Sequence, residues 1–111
     1  GITDIEAVHA FLSKTKPEAN YAAAWIGNLD RLAQISSRYS PLFLVAENTP
    51  PIITIHGDLD TVVPYEQAIA LHESLSTTNR LITLQGGTHG GFSDDQYQDA
   101  YRAIFKFLDD L

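Results

Sequence analysis

The chain has 111 residues, of which 44% are hydrophobic, and this content fits one small globular domain and argues against a disordered chain. Its net charge of −7 and its lack of any Lys or Arg cluster argue against nucleic acid as a partner. No apolar run approaches the roughly 20 residues needed to span a bilayer, so we expect no membrane partner. The absence of cysteine excludes a disulfide framework and cysteine-based metal sites.

The first 49 residues carry apolar side chains at helical spacing. Thr3 or Asp4 can cap the first helix, and the Gly27-Asn28 pair predicts a stop or a kink after the second. Pro41 ends the third, because the residue before a proline is pushed away from helical geometry. The predicted helices span residues 3–12, 17–26 and 29–36, and residues 42–45 are predicted as an irregular or single-turn segment.

Residues 52–55 form an unbroken run of four β-favouring residues, which predicts a strand buried on both faces, as in a parallel sheet. Gly57 releases the backbone from strand geometry, and Asp58 and Asp60 follow on the turn. Pro64 fits the first position of the next helix. The two acids are therefore expected just past the carboxyl end of a strand, where open α/β sheets place their ligands and chemistry.

A helix, a second strand and a glycine-rich loop are predicted next. Residues 80–84 have the composition of a strand, and glycines on both sides of His89 free the loop of residues 85–91 to present an imidazole. The helix before this strand is predicted over residues 65–75, with Ala68, Ile69, His72 and Leu75 on one face.

The last predicted helix begins after Ser93, with Gln96 three residues on as in a capping box. One broad side of this helix is apolar, and such a stripe needs a sheet to cover. We predict that its aromatic members are core residues. The stripe consists of Tyr97, Ala100, Tyr101, Ile104, Phe105, Leu108 and Leu111.

The sequence predicts that Asp60 and His89 meet. Two strands joined by a helix run parallel through a right-handed crossover, so each residue follows the carboxyl end of one of two neighbouring strands. An Asp beside a His accepts the proton of one ring nitrogen, fixes the tautomer and stabilises the imidazolium that forms when the other nitrogen takes a proton from a nucleophile. The pair is two thirds of a catalytic triad.

At these residues the sequence resembles the carboxyl-terminal part of the α/β-hydrolase fold, in its serine esterase (carboxylesterase and lipase) and prolyl-oligopeptidase-like branches. The resemblance rests on residues 56–67, which begin His-Gly-Asp-Leu-Asp, on the loop of residues 87–92 and on the closing amphipathic helix. It implies that Asp60 is the triad acid and His89 the general base, with a small ester or acyl substrate and neither cofactor nor metal.

The resemblance also implies a partial α/β-hydrolase fold with its last two parallel strands, flanking helices and an N-terminal helical insertion. Residues 1–49 would form this cap-like insertion, and residues 50–111 the βαβα unit that bears the acid and the base. Residues 1–4 look like the segment just after the strand that precedes the acid-bearing one. Because the chain starts with Gly1 rather than Met, we expect that an upstream part was removed or never included.

The Gly-x-Ser-x-Gly elbow that carries the nucleophile in this fold is absent from the sequence, as is the oxyanion-hole loop. We therefore expect a segment of a carboxylesterase-like serine hydrolase that is inactive alone. The alternatives are a non-catalytic binding or assembly module with a degenerate half-fold and a fragment of a prolyl-oligopeptidase-like peptidase. None of the serines has the flanking glycines: Ser13, Ser36, Ser37, Ser40, Ser74, Ser76 and Ser93.

Each candidate residue also has a structural interpretation. In the alternative to a catalytic role, Asp60 simply caps the helix that follows. Asp58 is predicted to form a turn by bonding its own backbone. His56 is predicted to be a hydrogen-bonded structural histidine, and Tyr21 and Trp25 either line an acyl or aromatic pocket or pack in the core. His9 and His72 are predicted to be packing or surface residues. A metal site of His56, Asp58, Asp60 and His89 is disfavoured, because the spacing matches no short ligand motif.

The predicted strand at residues 52–55 raises a problem of stability. Two parallel strands are too few to be stable alone, and this strand would expose a bare apolar edge. We therefore expect self-association, or pairing with an upstream half, through this strand.

Overall fold

The computed structural model describes residues 2–111 and shows two parallel strands with flanking helices, as the sequence predicts. Across these residues, no helix combines the length and the apolar character needed to cross a membrane. Single 3₁₀ turns lie at Pro17–Ala19, Leu29–Arg31 and Pro41–Leu44. The helices and strands in chain order are α1 (Ile5–Thr15), α2 (Tyr21–Ile26), α3 (Leu32–Tyr39), β1 (Ile52–Gly57), α4 (Tyr65–Ser74), β2 (Asn79–Leu84) and α5 (Asp94–Asp109).

Helices α1 and α2 share a small core of Val8, Leu12 and Ala22, and α3 packs against α1. Asp4 caps α1, since its carboxylate accepts the amide of Ala7 at 3.1 Å. The helix predicted over residues 17–26 is interrupted, because Asn20 caps a new helix by accepting a hydrogen bond from the amide of Ala23. Gly27, with φ of +72°, ends that helix as predicted.

The start of the chain is anchored to α4 through Gln67, a contact that the sequence did not reveal. The buried amide oxygen of Gln67 accepts the backbone N–H groups of Thr3 at 2.9 Å and Asp4 at 2.8 Å. The hydroxyl of Thr3 donates to the backbone carbonyl of Gln67 at 2.8 Å. These three bonds fix α1 relative to the strand–helix unit.

Strands β1 and β2 pair in parallel from Ile52 opposite Asn79 to Gly57 opposite Leu84. The prediction that residues 52–55 are buried on both faces is wrong for this chain, because all four are only partly buried. Within residues 2–111, β1 pairs with β2 alone, so the outer edge of each strand is unpaired. Two strands and their helices leave this part of the sheet incompletely covered.

Helix α5 begins with the predicted capping box, in which Ser93 and Gln96 bond each other's backbone amides. The prediction that its aromatic stripe is core is wrong here. Ala100 and Phe107 are buried, whereas five stripe residues are 42–64% exposed. A two-stranded sheet is too narrow to cover the whole stripe. The exposed members are Tyr97, Tyr101, Phe105, Leu108 and Leu111.

Candidate active site

The acid turn, defined here as residues 58–64, follows the carboxyl end of β1 and is organised by the carboxylate of Asp60. Its Oδ1 accepts the backbone amides of Val62 and Val63, both at 2.8 Å. The Asp60 side chain is only 5% exposed. Because Oδ1 accepts two backbone amides, the carboxylate group cannot rotate freely, and the direction of Oδ2 is fixed.

That second oxygen meets His89, as the strand order predicts. Oδ2 of Asp60 lies 2.9 Å from Nδ1 of His89, although the residues are 29 positions apart. A carboxylate only accepts, so Nδ1 carries the hydrogen and Nε2 of the neutral ring is left free to take a proton. The His89 side chain is 55% exposed, so this ring is accessible from solvent.

The histidine loop, defined here as residues 85–92, is joined to the acid turn by hydrogen bonds of its backbone, one to a backbone amide and one to a side chain. The amide of Leu59 donates to the carbonyl of Gly87 at 2.9 Å, and Oδ1 of Asp58 accepts the amide of Gly86 at 2.8 Å. The prediction that Asp58 bonds its own turn is therefore wrong, because its carboxylate reaches across to the neighbouring loop. Asp58 fixes the loop that carries His89.

The close approach of Gly57 and Gly87 allows this arrangement. A Cβ on Gly57 would lie 2.2 Å from the carbonyl oxygen of Gly87 and 2.7 Å from that of Thr88. Both neighbours are backbone atoms, which cannot rotate away as a side chain can. Only glycine fits at the end of β1 while the histidine loop keeps its place.

We expect Gly57→Ala to destabilise the fold by about 3 kcal/mol or more, toward the upper end of what overpacking costs. Urea unfolding measures the effect. Gly91→Ala is the matched control, since a Cβ there would meet only the hydroxyl of Thr88, at 3.1 Å. Equal stability of the two variants would contradict the close backbone contact.

His56 is a buried, hydrogen-bonded histidine, as predicted, and it also touches the acid. Its Nε2 lies 2.9 Å from the carbonyl oxygen of Val63 and 3.3 Å from Oδ2 of Asp60. Both neighbours accept, so Nε2 carries the hydrogen, with the shorter contact as its main bond. The ring meets Tyr65 edge-on, with centroids 5.9 Å apart. Spacing gave no signal for this contact, because residues four apart are neighbours in a helix, whereas His56 ends a strand and Asp60 lies on the turn after it.

The hydrogen bonds of Asp60 control its protonation. Burial alone raises the pKa of this carboxyl, but the bonds from His89 and from the amides of Val63 and Val62 outweigh burial and hold the pKa below its ordinary value of 3.8. The ionised form is therefore present at neutral pH, which an orienting acid requires.

This shift predicts a dependence of stability on pH. Because the pKa is lower in the folded state, ionised Asp60 stabilises the fold above pH 3.8, and this contribution is lost as the pH falls through the lowered pKa. We expect the difference in free energy of unfolding between the natural chain and Asp60→Asn to shrink as the pH falls below 4. Urea titrations from pH 3 to 5 measure it; a difference that grows between pH 4 and pH 3 would contradict the shift.

Two cavities adjoin the Asp60–His89 pair. The first, of about 240 Å³, lies between the acid turn and the histidine loop and is lined by His56, Asp60, His89 and Phe92, among others. The second, of about 230 Å³, has a mostly apolar lining. Its residues are Ile2, Tyr21, Trp25, Val62, Val63 and His89. The structure thus places Tyr21 and Trp25 beside His89, and the Trp25 side chain is 71% exposed rather than packed in a core.

The remaining histidines hold secondary structure together. His72 lies 2.7 Å from the Thr54 hydroxyl and 3.0 Å from the Asn79 amide oxygen, which joins α4 to both strands. His9 contacts Asn20 at 3.1 Å. Within residues 2–111 no three His, Cys, Asp or Glu side chains are grouped so as to hold a metal ion.

The BD-FAE family model matches residues 1–75, more than half of the chain. The chain belongs to the BD-FAE family. This family is α/β-hydrolase-like, which confirms the resemblance drawn from the sequence, and the match includes residues 56–67, on which that resemblance partly rests. The BD-FAE match includes Asp60 and stops short of His89, so the contact between these two residues rests on the geometry of the structure and not on the family match.

Two relatives of this BD-FAE chain are esterases. Esterase LipC of Mycobacterium tuberculosis is 36% identical over 66 residues, which cover 56% of this chain and 16% of LipC. The structure of a truncated form of a carbohydrate esterase from gut microbiota matches with a TM-score of 0.54 and 28% identity, over 65% of this chain and 27% of that one. The BD-FAE chain thus spans less than a third of either relative.

Proposed function

We propose that this chain supplies the general base, His89, and the orienting acid, Asp60, of a carboxylesterase that acts by acyl transfer. The observation that carries the proposal is the 2.9 Å bond between Nδ1 of His89 and a carboxylate whose other oxygen is fixed by two backbone amides. Membership of the BD-FAE family and two esterase relatives support ester rather than peptide hydrolysis.

In the proposed reaction, Nε2 of His89 takes the proton of a serine hydroxyl as the oxygen attacks the ester carbonyl. The imidazolium that results is stabilised by ionised Asp60, which stays deprotonated. Collapse of the tetrahedral intermediate releases the alcohol, which takes the proton from Nε2. A water molecule then gives its proton to Nε2, attacks the acyl-serine and releases the acid, and the proton returns to the serine.

The nucleophile and the oxyanion hole are proposed to come from a hydrolase half outside these 111 residues, with β1 as the strand that pairs with it. The apolar cavity between β1 and α5, about 240 Å³, is lined by Ile55, Phe92 and four residues of α5. Together with the unpaired strand edge, it marks a surface that a further strand and its side chains would cover. Self-association through the same edge is the competing outcome.

The second cavity supports an apolar acyl group as the bound part of the substrate. The rings of Tyr21 and Trp25 lie 4.9 Å apart and share this cavity with His89. An acyl chain held against these rings would place its carbonyl within reach of the base, while the polar alcohol part leaves through the open side.

The proposal is tested by hydrolysis of a short-chain nitrophenyl ester. The chain alone is compared with the completed enzyme, meaning this chain joined behind a hydrolase half that carries a Gly-x-Ser-x-Gly elbow. We expect turnover only by the completed enzyme. A folded completed enzyme without turnover would contradict the proposal and favour a binding or assembly module.

A further inference from the structure

The peptide group between Val62 and Val63 has a hydrogen bond at each end. Its N–H, which belongs to Val63, donates to Oδ1 of Asp60 at 2.8 Å. Its carbonyl, which belongs to Val62, accepts the hydroxyl of Tyr21 at 2.6 Å. A continuous donor-to-acceptor chain therefore runs from Tyr21 through one peptide group to the carboxylate.

We infer that Tyr21 is a positioning residue for Asp60, acting through the peptide group between Val62 and Val63. The inference rests on the proposed function, since it assigns Tyr21 to the acid of that site. Tyr21 lies 41 positions from Val62, on α2, so the bond ties the helical part of the chain to the acid turn. A second and weaker tie is the 3.3 Å bond from Nζ of Lys16 to the hydroxyl of Thr61.

The two bonds strengthen each other. A hydroxyl that donates to a carbonyl polarises the peptide group, which makes its N–H a stronger donor to the carboxylate. Oδ1 is thereby held more firmly, and the direction of Oδ2 toward His89 is set by the same rigid group. Loss of the hydroxyl would leave Oδ1 bonded but loosen the orientation of the pair.

The Tyr21 hydroxyl keeps its proton, as a hydrogen-bond donor must. Burial raises the pKa of its hydroxyl above the ordinary value of 10.0, and the negative charge of Asp60 raises it further. The hydroxyl is therefore neutral and able to donate at neutral pH, where Asp60 is ionised.

Tyr21→Phe tests the inference, because it removes only the hydroxyl. Tyr39→Phe is the matched control, since Tyr39 lies on α3 with its side chain 60% exposed. In the isolated chain, we expect the Val63 amide proton to move upfield by NMR in Tyr21→Phe and to stay in place in Tyr39→Phe. In the completed enzyme, we expect kcat for nitrophenyl acetate to fall about tenfold, as slight misplacement of a catalytic group does, with KM within twofold of the natural value.

Other roles for Tyr21 give different results. If it only lines the cavity, KM rises for longer acyl chains while kcat for the acetate and the Val63 amide are unchanged, which overturns the inference. If it only stabilises the fold, urea unfolding shifts while kcat per folded molecule is unchanged, which also overturns it. Failure of the proposed function appears separately, as a folded completed enzyme without turnover or as turnover that survives His89→Ala.

Discussion

Replacing His89 with alanine is expected to lower kcat of the completed enzyme by about 10⁴ to 10⁶, the range seen when the base of a triad is removed. In the neutral ring, Nε2 is unprotonated because the hydrogen is on Nδ1, where it is held by Oδ2 of Asp60. The distance between Nδ1 and Oδ2 is 2.9 Å. Without the imidazole, the serine hydroxyl keeps its proton and the leaving alcohol receives none. Steady-state hydrolysis of nitrophenyl acetate measures the loss.

His9→Ala is the matched control for this prediction. His9 lies on α1 and contacts Asn20 at 3.1 Å, so its removal is expected to change kcat less than twofold. KM should be similar in all three proteins, since His89 acts on the proton and not on ground-state binding. Turnover by His89→Ala close to that of the natural enzyme would contradict the assignment of His89 as the general base.

Asp60→Asn is expected to lower kcat by about 10⁴, through the wrong tautomer of His89. The natural carboxylate accepts on both oxygens, with two backbone amides on Oδ1 and the rings of His89 and His56 near Oδ2. An asparagine keeps only one accepting oxygen. If its NH₂ faces His89, that ring must move its hydrogen to Nε2; if it faces Val62 and Val63, these two backbone amides lose their acceptor.

Asp58→Asn provides the comparison for Asp60→Asn. Asp58 uses only Oδ1, which accepts the amide of Gly86 at 2.8 Å, and an asparagine keeps an oxygen for that bond. We expect nearly natural kcat and stability. Equal kcat values in the two variants would contradict the assignment of Asp60 as the orienting acid.

The meeting of Asp60 and His89 was predictable because strand order brings their two loops together. A strand, a helix and a second strand bring two loops to one edge of a parallel sheet, and the side chains that follow the strands must then be neighbours. The capping box at Ser93 was predictable for a similar reason, since it depends on residues three apart.

The contacts across the acid turn were not predictable from local pattern. Tyr21 reaches Val62 from 41 positions away, and Asp58 reaches Gly86 from 28 positions away. Such bonds depend on how α2 and the histidine loop dock, which spacing does not encode. The prediction that the aromatic residues of the α5 stripe are core was wrong for a different reason. An apolar stripe indicates a surface that needs a cover, but residues 2–111 contain a sheet of only two strands, which does not cover it.

The tautomer of His89 shows directly whether Asp60 orients this ring. In this chain, labelled with ¹⁵N at histidine, we expect His89 to carry its hydrogen on Nδ1 with a bare Nε2, and to change to the Nε2–H tautomer in Asp60→Asn molecules whose NH₂ faces the ring. A His89 ring that carries its hydrogen on Nε2 in the natural chain, and is unaffected by Asp60→Asn, would contradict it.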